Sequence, residues 1–151
     1  MTTFDFNYGP GPVPAHRHIN ADGSEGGWVA ETAFVADTAY LARKARVFGN
    51  AQVYGTARVS GNASVFGEAT VFGNALMFGS ALISGDAQVY GRAKVYGNAA
   101  VFDYARVYDR SRVYNNACVY NNAQVYDTAR VFGNAQVFGN TQAQGTTHVT
   151  E

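Results

Sequence analysis

His16-Arg17-His18, followed by the carboxylate of Asp22, gathers two imidazoles and an acid in one short stretch, the donor types that a transition metal takes. The same residues also read as a polar cap whose rings bond backbone carbonyls, with Asp22-Gly23-Ser24 as an ordinary turn. The remaining imidazole, His148, stands near the other end, and none lies between residues 19 and 147. Cys118, the single cysteine, has no histidine two residues to either side, so a thiol nucleophile lacks a visible base. No cofactor is expected from these groups. What chemistry they could do depends on the scaffold that holds them.

That scaffold is written as a six-residue repeat. From Val29 to Val149 an apolar residue recurs at every sixth position; seventeen of the twenty-one are Val, and the others are Leu41, Met77, Ile83 and Ala143. Two residues before each stands a small one, Ala except at Gly27, Ser111, Thr141 and Thr147. In a strand both positions point to one side, whereas a helical period would scatter residues six apart. Gly, Asn or Asp stands two residues after most of the apolar positions, the types that tolerate positive φ and end a strand sharply. Each hexapeptide is therefore one short strand and one corner.

Three such units close a triangular coil of 18 residues, and the unbroken register leaves no inserted loop. The expectation is a single-domain, all-β, triangular parallel β-helix of about seven coils. Residues 1–26 form an N-terminal cap segment and residues 27–151 the solenoid. At roughly 4.8 Å per coil, the prism is about 34 Å tall. Burying one Val contributes about 1.5–3 kcal/mol before entropy is subtracted.

Residues 18 apart stack on one wall, so the outward positions sort into columns. The residue after each apolar one is aromatic at 14 of the 16 sites from 48 to 138, the exceptions being Ser60 and Ser84. Wall one carries Phe48, Phe66, Ser84, Phe102, Tyr120 and Phe138 beside Arg46, Ser64, Leu82, Ala100, Cys118 and Gln136. Wall two carries Tyr54, Phe72, Tyr90, Tyr108 and Tyr126; wall three carries Phe78, Tyr96, Tyr114 and Phe132 beside Arg58, Leu76, Lys94, Arg112 and Arg130. Aromatic ladders of this kind stiffen the coil. The uncharged middle of wall one, extended around a corner by Leu76 and Phe78, is the expected contact surface: Phe66, Leu82, Ser84, Ala100, Phe102, Cys118 and Tyr120. Ser84 and Ser60 open notches edged by rings, suited to a sugar or flat ligand, or else they accommodate Leu76, Met77 and Leu82. Of the corner acids Asp86, Asp103, Asp109 and Asp127, the pair Asp109 and Asp127 stacks beside Arg110, and pairing with arginine is expected ahead of a shared cation.

The pattern of Val or Ile with a small residue four positions on resembles the hexapeptide-repeat left-handed β-helix superfamily over residues 29–149. It departs in placing Phe or Tyr directly after the Val and in lacking inserted loops. The opening Gly26-Gly27-Trp28-Val29 and the following Val-Tyr-Gly-Asn-Ala phrases look like uncharacterised bacterial and phage β-helix proteins. The resemblance implies left-handed winding, parallel trimers with closed threefold symmetry and a phage or bacterial origin; a twofold dimer is the near alternative. It also implies a histidine base for acyl transfer, or three histidines around zinc for the related carbonic anhydrases. This chain has no imidazole on any mid-solenoid wall to supply either.

The chain is 151 residues long, and its 11 basic and 11 acidic side chains cancel, so nucleic acid gains no electrostatic attraction. No apolar run reaches the length of a membrane span, no charged leader precedes one, and a lone cysteine fits a reducing cytoplasm. Gly9-Pro10-Gly11-Pro12-Val13-Pro14 is neither helix nor central strand and should cross the first coil, with Phe4, Phe6 and Trp28 as plugs. These readings predict a cytoplasmic, non-enzymatic β-solenoid that acts as a self-associating structural, scaffold or binding module, with a protein or carbohydrate partner open. The alternative is a divergent hexapeptide acyltransferase or small-ligand binder whose site lies between subunits.

Overall fold

The computed structural model describes residues 2–150. A two-residue strand and a corner alternate along nearly the whole solenoid, and their stacking produces three parallel walls. Wall one runs through the strands at 28–29, 46–47, 64–65 and onward to 136–137; wall two runs from Phe34–Val35 to Gln142–Ala143; wall three runs from Tyr40–Leu41 to His148–Thr150. Every parallel pairing joins residues 18 apart, as in Leu82 opposite Ser64 and Ala100. The protein is thus an all-β solenoid of about seven coils, as the six-residue period predicts. No helix among the described residues is long and apolar enough to cross a membrane.

The corner makes the coil. After Phe48 the chain turns at Gly49 with φ +66°, and the Ala51 amide donates back to the Phe48 carbonyl at 3.3 Å. Asp109 turns the same way at φ +60°, a conformation that costs Asp and Asn less than other side chains. With the chain folded back every six residues, each strand amide meets a carbonyl 17 residues on: Phe48 to Val65 at 3.0 Å, Leu82 to Ala99 at 3.0 Å. The inward Ala and Val form one continuous buried column, and Val47, Val65, Val89 and Val107 are all fully buried. Ser111 replaces Ala in this column. Its hydroxyl donates its one proton between the carbonyls of Tyr108 (2.7 Å) and Val125 (3.1 Å), so the hydroxyl is not stranded there.

The first coil is closed by residues that break the repeat. Strand β1 (Thr3–Phe4) pairs antiparallel with β2 (Val13–Ile19), and β2 pairs antiparallel with β3 (Glu25–Ala30), the first strand of wall one. Beyond β2 the chain reaches the top of wall three. There the Asn20 side chain accepts from the Leu41 amide (2.9 Å) and donates to its carbonyl (3.0 Å), as a neighbouring strand would. His18 donates through Nε2 to the Ala39 carbonyl at 3.1 Å. The edge that a bare solenoid would expose is therefore covered by β2 on wall one and by two side chains on wall three. The expectation that Phe4, Phe6 and Trp28 plug the coil is corrected: Trp28 precedes Val29 and so points outward, and the other two rings join it outside wall one.

Gly27 occupies the position that Ala fills in most later coils, and the backbone of the first corner, Ala42 to Ala45, explains the exception. A Cβ at Gly27 would sit 1.8 Å from the Ala45 carbonyl oxygen and 2.8 Å from that of Ala42; one at Gly26 would sit 2.4 Å from the Leu41 oxygen. Backbone cannot yield as a flexible side chain can. The Gly27→Ala variant is therefore expected to lose about 3 kcal/mol or more. Chemical denaturation of Gly27→Ala beside Ser111→Ala, which restores the common residue of the column, would check this; equal midpoints would refute it.

Candidate functional site

Fourteen of the aromatic rings could be placed from the repeat alone; the covering of wall one could not. Rungs 18 apart bring like rings face to face. On wall two, Tyr54, Phe72, Tyr90, Tyr108 and Tyr126 form one unbroken ladder with centroids 4.8–5.1 Å apart and planes within 6°. On wall three, Phe78, Tyr96, Tyr114 and Phe132 do the same at 4.6–5.2 Å. Some tyrosine hydroxyls tie their rung to the next coil, as Tyr108 donates to Gln124 Oε1 at 3.0 Å and Tyr120 to Gln136 Oε1 at 3.1 Å. A ladder of this kind presents ring edges to solvent and hides ring faces, so a stacking ligand finds a face only where a rung is missing.

Wall one divides into a covered and an uncovered half. In the upper half, Phe6 stacks on Phe48 at 4.7 Å and continues the Phe48–Phe66 pair, while Tyr8 leans on both, 5.4 Å from Phe48 and 4.6 Å from Phe66. Arg46 donates to the Phe6 carbonyl at 3.1 Å and holds this strap in place. Phe48 is left 7% exposed and Ser64 1%, so both are withdrawn from contact with a partner. Phe4, Phe6 and Tyr8 alternate with Asp5 and Asn7, a period-two signal that would have shown one apolar edge lying on a wall. Between the strap and the first corner runs an apolar cleft of ≈ 300 Å³, lined by Phe6, Tyr8, Pro10, Val13 and Phe48, with Glu31 at its rim.

The lower half keeps its outward side chains free. Leu82, Ala100 and Cys118 stack as one uncharged column, each half-buried, beside Ser84 and the Phe102–Tyr120–Phe138 ladder. Phe138 at its foot is 52% exposed. Leu76 and Phe78 lie on wall three, and Phe78, 39% exposed, stands just before the corner that leads to Leu82. Phe66 belongs to the covered half through Tyr8. Of the residues singled out on sequence, Leu82, Ser84, Ala100, Phe102, Cys118 and Tyr120 form one surface, with Phe78 around its edge.

The polar candidates are dispersed. His16 Nδ1 lies 2.6 Å from Glu31 Oε1, His18 is buried against Ala39, and Asp22 accepts from the amide and hydroxyl of Ser24 at 2.9 and 2.6 Å. These Ser24 bonds hold the Asp22 carboxyl below the usual range. Among the described residues no group of three or more His, Cys, Asp or Glu is close enough to hold a metal ion. The corner acids do not pair with Arg110. Asp109 Oδ2 accepts the Asp127 amide (3.1 Å), Asp127 the Gly145 amide (2.9 Å) and Asp103 the Asn121 amide (3.0 Å), because an αL side chain overlies the corner amide of the next coil.

Burial in the wall-two ladder raises the Tyr90 phenol above its ordinary value, with Asp109 adding to it and Arg106 opposing. Burial likewise leads at Tyr108, followed by Tyr90 and Tyr126. A folded-state phenol pKa above the unfolded one gives stability that is intact below about pH 10 and is lost as pH rises through the folded value. The melting temperature should therefore fall above about pH 10. A Tyr90→Phe/Tyr108→Phe protein should fall less; equal slopes in thermal melts from pH 8 to 11 would count against the ladder as the cause.

A family model for the YdcK Beta solenoid repeat matches residues 51–67 and 123–139. Each match takes in one strand of wall two, of wall three and of wall one in turn, and the two are in the same phase. No curated protein and no solved structure matches the chain. The protein is a β-solenoid repeat protein, similar in two of its coils to the YdcK Beta solenoid repeat.

Proposed function

We propose that this β-solenoid is a non-enzymatic scaffold or binding module that self-associates through the lower half of wall one. The observation that carries the reading is the contrast within that wall. The chain spends its own aromatic strap on the upper half, and leaves the equivalent lower surface of Leu82, Ala100, Phe102, Cys118 and Tyr120 without charge or cover. Contiguous apolar surface of this kind marks contact sites.

A closed threefold assembly of parallel, left-handed solenoids is the form the sequence resemblance favours, with a twofold dimer as the competing arrangement. A cytoplasmic setting and a phage or bacterial source belong to the same proposal, supported by the unpaired thiol of Cys118 and by the repeat phrases. Acyl transfer between subunits gains no support from the geometry, since His16 and His18 lie in the cap and His148 on the last coil. General acid–base work would need such a group beside the wall.

Multi-angle light scattering tests the reading. The wild-type chain should be an oligomer, and Leu82→Glu, which sets like charges against each other across a shared wall, should shift it to a monomer that still melts in one cooperative transition. A monomeric wild type, or an unchanged oligomer in Leu82→Glu, would remove wall one as the interface. A coenzyme A titration adds a second arm: a rise in melting temperature would revive the acyltransferase.

A further inference from the structure

Four of the chain's eleven basic side chains meet where the cap, the first coil and wall one join. Arg17 comes from β2, Arg43 and Lys44 from the corner after Leu41, and Arg46 from the second rung of wall one. Together with Phe4 and Trp28 they line an open cleft of ≈ 370 Å³. The repeat does not require this. In later coils the same corner carries neutral residues, Asn62, Ser80, Asn98 and Asn116.

The charges are not balanced locally. Glu25 pairs with Arg43, and Asp22, the next acid in the cap, is engaged by Ser24. Among the described residues only one carboxylate, Glu25, is ion-paired with any of these four cations, in a chain whose overall charge is zero. Like charges held in one cleft repel, and an anion bound there relieves that repulsion.

The cationic groups are also oriented. Arg17 Nη1 donates to the carbonyls of Gly26 (3.2 Å) and Arg43 (3.0 Å), and its guanidinium lies 4.7 Å over the Trp28 ring. Arg46 is fixed by the Phe6 carbonyl at 3.1 Å and reaches Ser64 Oγ at 3.4 Å. These tethers account for one or two N–H groups of each guanidinium and leave the others without a protein acceptor among the described residues. Lys44 has no ion pair or side-chain hydrogen bond among the described residues. Phe4 stacks on Trp28 at 4.8 Å and supplies an apolar flank.

We propose that this cleft binds a dianionic oxyanion monoester, a phosphate or sulfate ester whose apolar or aromatic body lies against Phe4 and Trp28. Planar guanidinium forks suit the several oxygens of a tetrahedral anion, and Lys44 adds a mobile point charge. A single carboxylate offers fewer oxygens and one charge, and leaves the cleft net positive. The bound ester bridges the cap to the first two coils, so it stabilises the folded end of the solenoid.

Calorimetric titration and thermal melts of the full chain with phenyl phosphate, inorganic phosphate and phenol test the assignment. Phenyl phosphate should bind saturably and raise the melting temperature, inorganic phosphate should bind more weakly, and phenol should not bind. Lys44→Gln removes an untethered side chain, so the free protein should melt unchanged while affinity for phenyl phosphate falls about tenfold, the worth of one charge-assisted hydrogen bond. Lys94→Gln on wall three should leave it unaltered. Equal melting shifts from sodium chloride at matched ionic strength, or equal affinity in Lys44→Gln and wild type, would overturn the site. Inorganic phosphate binding as tightly as phenyl phosphate would overturn the ester.

Discussion

Parallel backbone pairing between residues 18 apart is the constraint on which everything else in this protein rests. It is possible because the chain reverses direction at positive φ every six residues, and Gly, Asn or Asp stands at those corners. Once the corners are set, each strand amide has one carbonyl within reach, and the interior narrows to what Ala and Val can fill. A larger residue is taken up only where it replaces Val in the middle of a strand, as Met77 and Ile83 do while fully buried.

The same register governs the outside. Side chains on successive coils are repeated at the spacing of the backbone, close to the distance at which aromatic rings stack with offset. The ladders are therefore a consequence of the coil as well as a support for it, and their rings expose edges. Corner Asp and Asn obey the same rule. A carboxylate above an amide at that spacing bonds the amide, which is why Asp109 and Asp127 turn from Arg110 to the backbone.

Distinct behaviour arises where the repeat is broken. The cap runs antiparallel to wall one, leads into Gly26 and Gly27, which lie against the carbonyls of Leu41, Ala42 and Ala45, and caps wall three with Asn20 and His18. It also lays an aromatic strap on wall one and adds Arg17 to three cations of the first two coils at one edge. The aromatic strap that distinguishes the upper from the lower half of wall one comes from these first residues. A protein built of near-identical coils acquires specific surface only through such exceptions.

Residue type and spacing by themselves determined the coil length, the inward and outward positions, the three walls and their ladders, because a period of six with a corner residue leaves one way to pair the backbone. Leu82, Ser84, Ala100 and Cys118 could be placed on one surface for that reason. Only the tertiary structure decided what the irregular first residues do. Their contacts lie far along the chain, Phe6 with Phe48, Arg17 with Arg43 and Asn20 with Leu41, and no period relates them. Local spacing fixes neighbours that repeat; a segment that crosses the end of the solenoid is positioned by packing against all of it at once.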